Sequence, residues 1–575
     1  MKKEDVQKKD RPSLFGLLDP YQRMIVVLVI LAIGSNGLTL WLPRLLAQGI
    51  DGFLSGGSLN TILWEIGVAA GVIFVLIYLQ SIVQTYASER VAQDLRMDLS
   101  EKISRLSFAD VQNITAAKLL TNLTSDIDSI KTFVSQAVVN LTSSLFLIIG
   151  GSILLISINW VLGLAVLVIL PVIGITFFLI LAKVRSLFKQ TREIIDWLNK
   201  VINESILGAT LIRVLNSQKL EQEKFVQANT KAKDVGTRIL KLFSAMIPIV
   251  TFASNFAVLM ILVLGGKFII DGTMSLGEFA SFNSYLIILI FPIFILGFVS
   301  SIMAQAQASY ERISAVLASP ESKDDGNITA SLKGSIQIEK ISLIFGEKAA
   351  LKNVSLNILP GSRVAIIGPT AAGKTQLLNL LVGLLPPTYG EIKYDHKNIK
   401  EYKRENLYKQ VGIVFQDSTI FNISIRENIA FNTEVTEINL QKAIETAELS
   451  DFITALPEGL ETIVSERGTS LSGGQKQRIM LARALAINPK ILLLDDFTAR
   501  VDMNTEKKIL DNISKNYPGM SLVSVTQKIA SVESYDQIVV LMEGEVIAAG
   551  THQDLMSTST EYVQIYNSQQ STNTL

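Results

Sequence analysis

The chain has 575 residues, of which 49% are hydrophobic, and its 52 basic residues balance 52 acidic ones. This is too long and too apolar for a single soluble domain, so at least two domains are expected, one of them in lipid. The balanced charge offers no basic patch for nucleic acid, the absence of cysteine excludes disulfides and thiolate metal centres, and His396 and His552 alone leave little for a histidine site.

Residues 1–23 carry Lys2, Lys3, Lys8, Lys9, Arg11 and Arg23 among acidic side chains. No small-residue cleavage site follows a short apolar run there, so no secretory leader is expected and the N-terminus is predicted to stay in the cytoplasm. Leu14, Phe15, Leu17, Leu18 and Tyr21 fit a short interfacial helix and a plain linker equally well. Six apolar runs follow, at about 24–47, 59–87, 137–158, 161–182, 242–270 and 276–303. Each reaches the roughly 20 residues that a helix needs to cross a hydrocarbon core. Their length and near absence of charge exclude buried helices of a soluble protein.

Lysine and arginine orient the runs. The connection 49–60 has none, the corner at Asn159 and Trp160 has none, and the bend near Gly265 has only Lys267, whereas 90–131 and 183–241 are studded with them. The short connections are therefore predicted outside and the long ones inside. Within the long ones, 89–106 and 192–215 lack proline and favour helix, so they read as helices running out into the cytoplasm. Gln80, Gln84, Asn255, Asn283 and Gln305, with Arg44 and Glu65 near the ends, are the polar residues of the runs. They either face a substrate path or bridge neighbouring helices.

The character of the chain changes near Pro320. The expected organisation is an N-terminal segment 1–23, a six-helix membrane domain 24–319, a linker 320–334 and a second domain 335–575. In the last, VAIIGPTAAGKT sets an aliphatic strand before Gly368, Pro369, Thr370, Ala371, Ala372, Gly373, Lys374 and Thr375, and an apolar helix follows through Leu377, Leu378 and Leu381. Strand, glycine-bounded loop and helix in this order form a phosphate cradle of the P-loop type. Backbone N–H groups and the helix N-terminus point at phosphates, Lys374 adds a positive charge, and Thr375 offers a hydroxyl to magnesium. Farther on, ILLLDD brings an apolar strand to Asp495 and Asp496, the first placed to hold magnesium.

Between these segments stands LSGGQ, with Ser472, Gly473, Gly474 and Gln475 at the head of a helix. The three motifs together resemble those of ATP-binding cassette proteins, and six spans ahead of one cassette resemble a half-transporter of the exporter type. The fold class expected from this resemblance is a membrane α-helical domain with long cytoplasmic extensions, fused to an α/β P-loop ATPase domain with a helical signature subdomain. It also implies that two cassettes sandwich ATP and Mg2+ head to tail, each nucleotide between one chain's P-loop and the other's signature. By the same resemblance Gln416 joins Thr375 and Asp495 around magnesium, Phe345 stacks on adenine, Glu466 belongs to a segment that touches the partner, and Asp502 links the two sites. The segments 108–119 and 207–216 correspond to the family's coupling helices, which transmit motion between cassette and spans.

The departures from the family are informative. Asp496 stands where a glutamate acts as general base, and one methylene less withdraws the carboxylate by about 1.5 Å. Gln527 stands where a histidine contacts the γ-phosphate, Ala371 replaces a P-loop glycine, and Ala499, Arg500 and Val501 replace the usual serine, alanine and leucine. With Lys374, Thr375, Asp495 and the signature kept, the pattern resembles the degenerate subunit of heterodimeric bacterial multidrug exporters. The implied function is ATP-driven export of hydrophobic or amphipathic compounds across the cell membrane, with a homologous half-transporter and membrane lipid as partners. Two alternatives stay open: a homodimeric lipid or drug exporter with a slow ATPase, and a nucleotide-gated channel, whose charged pore lining no span supplies.

Overall fold

The computed structural model describes residues 14–321, 326–417, 419–432, 434–465, 468, 470–498 and 500–573. Two compact units emerge: residues up to Arg105 together with Ile114–Ser319, and Leu106–Asn113 together with Pro320 onward.

The first unit is helical. Six helices long and apolar enough to cross a membrane span Gly16–Leu54, Asn60–Arg105, Ala116–Ile158, Trp160–Leu207, Gln218–Ile270 and Leu276–Leu317. Each contains one of the six apolar runs. At 1.5 Å per residue most of them exceed a hydrocarbon core of about 30 Å by a wide margin. The helix expected over 192–215 is interrupted: it ends at Leu207, Gly208 stands between, and a separate turn covers Ala209–Val214. Glycine is the weakest ordinary helix former, and Asn216 closes the turn in the left-handed region at φ 54°. Thr115 at φ 71° likewise divides Phe108–Ile114 from Ala116–Thr121.

Gly16–Tyr21 is a 3-10 turn that runs directly into the first span. Leu14 and Leu18 are buried while Phe15 is exposed. Tyr21 donates to Asp94 at 2.7 Å. Among the unit's polar contacts, two join distant spans through a carboxylate. Asp51 at the end of the first span accepts from the Ser275 hydroxyl at 2.6 Å and from the Gly277 N–H at 2.8 Å. Gly277 is required there, because a Cβ would lie 2.1 Å from the Ala47 carbonyl oxygen. Asp126, buried on the third span, is held by Ser309 at 3.0 Å and by the Arg312 guanidinium, both on the sixth. A buried carboxylate needs such partners. Gln84 donates to the Ser135 carbonyl and Gln305 to Ser129, so these two span amides bridge helices.

The second unit is an α/β domain with two sheets. A four-stranded antiparallel sheet has the order β2-β1-β4-β5, with β1 Ile336–Phe345, β2 Lys348–Ile358, β4 Tyr389–Tyr394 and β5 Lys397–Asn398. The larger sheet has the order β10-β9-β3-β8-β7-β6. Its strands are β3 Arg363–Ile367, β6 Val411–Val414, β7 Ile491–Asp495, β8 Ser521–Val525, β9 Gln537–Met542 and β10 Glu545–Gly550. All neighbours there are parallel except β10 against β9. β7 and β8 are buried along their whole length. Continuous aliphatic runs such as Ile491–Leu494 are what a parallel strand covered on both faces requires. Leu332 is buried in this unit's core, and Phe108 and Ala109 pack against the same core.

Candidate functional site

Parallel pairing gathers the candidate residues. β3, β8, β7 and β6 lie side by side and run the same way, so the residues that follow them emerge along one edge of the sheet. Open α/β sheets bind ligands at that edge. After β3 comes the loop 368–373, after β8 come Thr526 and Gln527, after β7 comes Asp496, and after β6 come Phe415 and Gln416.

A cleft of about 250 Å³ opens at this edge. It is lined by Thr370, Ala371, Ala372, Gly373, Lys374 and Thr375, and by Gln416, Asp495, Asp496 and Gln527. Segments separated by more than 150 positions thus meet in one place. Gly368 and Pro369 face an adjoining hollow, again with Gln527. Phe345 is half exposed at the end of β1 and does not line the cleft, whereas Ala350 on the next strand does.

The loop's backbone explains its glycines. Gly373, at φ 97°, opens the helix Lys374–Leu381, and a Cβ there would stand 2.6 Å from the Ala350 carbonyl oxygen. A Cβ on Gly368 would lie 2.0 Å from the Leu541 carbonyl oxygen. Ala371 adopts φ 66° without being glycine, a conformation that costs roughly 1–2 kcal/mol for an ordinary residue. The Lys374 ammonium donates to the carbonyl oxygens of Gly368 and Pro369, both at 2.8 Å. It is folded across its own loop.

Burial and neighbouring charge oppose one another in the cleft. Burial lowers the Lys374 pKa, while the nearby Asp496 and Asp495 charges oppose that shift. Burial raises Asp495, a hydrogen bond with Thr375 opposes it, and Asp496 raises it further. Asp496 is also raised by burial and is held down by Lys374 and Lys528. Asp496 sits at φ 46°, a region that aspartate enters more readily than most residues.

The residues fit a nucleoside triphosphate with magnesium. The loop leaves no room for side chains at Gly368 and Gly373, Lys374 supplies a cation, and Asp495 already meets Thr375. Gln376 also lines the cleft and has a buried amide oxygen without a partner among the described residues. Such atoms are ordinarily satisfied by water or a ligand.

The signature stands apart from the cleft. Ser472 caps the helix Gly473–Ala486 in a reciprocal box: its hydroxyl accepts from the Gln475 N–H at 3.2 Å, and the Gln475 side chain accepts from the Ser472 N–H at 2.8 Å. Arg500 covers the two glycines. A Cβ on Gly473 would meet Arg500 Cδ at 2.8 Å, and one on Gly474 would meet the Arg500 carbonyl oxygen at 2.9 Å. Asp502 caps the helix Met503–Asn516 by accepting from the Thr505 N–H at 2.9 Å. Glu466 and Ala499 lie outside the described residues.

Several supporting residues carry no motif. Gln569, on the last helix, donates to the Gln527 carbonyl at 2.5 Å and accepts from the Ile529 N–H at 2.9 Å, bracing the Gln527 segment. Lys528 donates to the Thr498 carbonyl at 3.1 Å and lies 3.5 Å from buried Glu506. His552 bonds the Tyr562 hydroxyl at 2.6 Å, and His396 bonds Gln337 at 3.2 Å, so both are occupied away from the cleft.

Comparison with known proteins agrees with this geometry. Residues 25–293 match the ABC transporter transmembrane region, and residues 351–499 match the ABC transporter domain. An uncharacterized ABC transporter ATP-binding protein of Bacillus subtilis, YfiB, is 31% identical over 562 residues, covering 96% of this chain and 98% of that protein. The multidrug resistance-like ATP-binding protein MdlA of Buchnera aphidicola is 30% identical, covering 96% of each. The ATP-dependent lipid A-core flippase of Syntrophus aciditrophicus is 28% identical, covering 97% of this chain and 94% of that one. A bacterial Atm1-family ABC exporter solved with ATP bound shares the fold, with a TM-score of 0.76 at 23% identity, covering 95% of this chain and 98% of that one. The chain belongs to the ABC transporter family and is an exporter-type half-transporter, a transmembrane region joined to one ATP-binding cassette.

Proposed function

We propose that this chain is one half of a heterodimeric exporter of hydrophobic or amphipathic compounds in the cell membrane, with the N-terminus and cassette cytoplasmic. Its own cleft binds ATP and hydrolyses it poorly, and its signature completes the hydrolytic site on a homologous partner. The observation that carries this reading is the company in the cleft. Lys374, Thr375 and Asp495 are present beside Asp496 and Gln527, so the binding groups are kept where the base is shortened and the histidine replaced. A general base must reach the proton it removes, and a displacement of about 1 Å lowers rates by roughly 10²-fold.

In this reading Thr375, Gln416 and Asp495 hold magnesium, which when bound neutralises phosphate charge. Lys374 exchanges its two carbonyl partners for phosphate oxygens, and the amides of the loop 368–373 cradle them. Ser472 and Gly474, at a helix N-terminus, present the same kind of dipole to a nucleotide held by the partner. Closure of the two cassettes then drives the spans from inward- to outward-facing. The turn Ala209–Val214 is suited to docking on the partner, because Leu207, Leu211, Val214 and Leu215 are all exposed at that tip.

The multidrug resistance-like and flippase relatives support a hydrophobic or lipid-like cargo. The test is asymmetric mutagenesis in the purified complex. Ser472→Ala is expected to remove steady-state ATPase by about 100-fold, the scale of one lost transition-state donor, while Asp496→Asn changes it less than about twofold. Equal losses from the two substitutions would contradict the proposal.

A further inference from the structure

A second polar cleft, of about 480 Å³, opens between the third and sixth spans. Thr124, Ser125, Asp128, Ser129 and Thr132 form one wall, and Ile302 and Gln305 the other. Spacings of one, four, five and eight positions put the first wall on a single helical face. Two of its residues lie in the π-helical turn Asn122–Asp126, a distortion that recurs at functional positions. The wall stands about 8 to 20 Å, at 1.5 Å per residue, from the start of the apolar run at 137. It therefore lies at the cytoplasmic entrance of the membrane domain in the orientation proposed above.

The hydrogen bonding of this wall is one-sided. Thr124 donates its hydroxyl proton to the Leu120 carbonyl at 2.8 Å, Ser129 to Ser125 at 2.9 Å, and Thr132 to Asp128 at 2.8 Å. A hydroxyl whose proton is engaged in this way presents only lone pairs. The Gln305 amide nitrogen donates one proton to Ser129 Oγ at 3.2 Å, and its carbonyl oxygen and second N–H have no other hydrogen bond among the described residues. Asp128 accepts only. Arg96 reaches its Oδ1 at 3.1 Å, but both side chains of that pair are largely solvent-exposed, and such pairs are weak. Oδ2 has no hydrogen bond among the described residues. Among the described residues Ser125 is the one hydroxyl of the wall with no acceptor for its proton, so it can still donate.

An acceptor-rich wall carrying a carboxylate disfavours anions and leaves carbonyl ligands unsatisfied, whereas it satisfies an ammonium, which brings three N–H donors. We propose that this cleft binds the protonated amine of an amphipathic substrate, with Asp128 as counter-charge, the engaged hydroxyls and Gln305 as acceptors, and Ile302 against the first methylenes. The inference rests on the exporter reading and narrows its substrate class to amine-headed amphiphiles.

The test uses the complete complex in nanodiscs of phosphatidylcholine, titrated with dodecylammonium, dodecyltrimethylammonium and dodecanol while binding and ATPase are read. Dodecylammonium is expected to saturate a site, dodecyltrimethylammonium, which keeps the charge but has no N–H, to bind at least about tenfold more weakly, and dodecanol not to saturate. Asp128→Asn should weaken dodecylammonium by at least about tenfold. Arg96→Gln breaks the same ion pair but keeps the carboxylate, and should leave affinity unchanged or raise it. Equal half-saturation by the three probes, or an Asp128→Asn affinity within about twofold of the unsubstituted complex, would overturn the amine site. Absence of ATP-driven transport by the unsubstituted complex would instead overturn the exporter reading, and the binding measurements would still decide the cleft.

Discussion

Two regions of this cassette, the cleft at the sheet edge and the signature helix, differ in how closely they keep the pattern that the sequence resembles. At the sheet edge, Asp496 and Gln527 depart from the family pattern while Lys374, Thr375 and Asp495 keep it, and all five share one cleft. At the helix Gly473–Ala486, LSGGQ is intact and its capping box is formed. If both regions served the same nucleotide, loss of chemistry in one would remove the demand on the other. In the proposed reading they belong to two separate composite sites, one poorly hydrolytic and one competent.

Substitutions on either side can break or sharpen that contrast. The largest effect is expected from Gly474→Asp, where the new side chain meets the Arg500 carbonyl and brings a negative charge to a helix N-terminus. ATPase of the complex should fall by more than about 100-fold while nucleotide still binds this chain's own cleft. Gly368→Ala comes next. A methyl 2.0 Å from the Leu541 carbonyl displaces the loop, and labelled-nucleotide binding at this half should weaken by about tenfold or more, with the partner's site still occupied. The smallest effect is a gain. Asp496→Glu with Gln527→His supplies the two missing groups, and turnover should rise by no more than about twofold as a second site joins the first. A larger rise would mean that this cleft limits the whole cycle.

Much of this was legible in the sequence, for physical reasons that differ by region. The spans were readable because a hydrocarbon core imposes length and apolarity on each one separately. The P-loop was readable because Gly368 and Gly373 occupy positions where the backbone leaves no space for a Cβ. The sheet edge was partly readable: ILLLDD marks a buried parallel strand, but only the β3-β8-β7-β6 order places Gln416 and Gln527 beside it. What was not readable depends on distant partners. Nothing local to Asp126 announces Arg312, 186 positions away, and nothing in the last helix marks Gln569 as the brace of Gln527. The break at Gly208 is not legible from the absence of proline, because a single glycine between Leu207 and Ala209 suffices to interrupt the helix.

Arg500 teaches a similar lesson. It appears in the sequence as one of three substitutions before Asp502, and folding lays it across the signature glycines. The departures in the cleft and the residue over the signature therefore belong to different surfaces, although they stand only four positions apart in Asp496 and Arg500.

The measurement that tests the central claim most directly is the mass of what co-purifies with this chain, tagged, from gently solubilised native membranes. The account predicts a second chain of similar size, with glutamate after its magnesium-binding aspartate and histidine at the position matching Gln527. Recovery of this chain alone, as a dimer with brisk ATPase, would contradict it, for Asp496 would then have to serve as a working base.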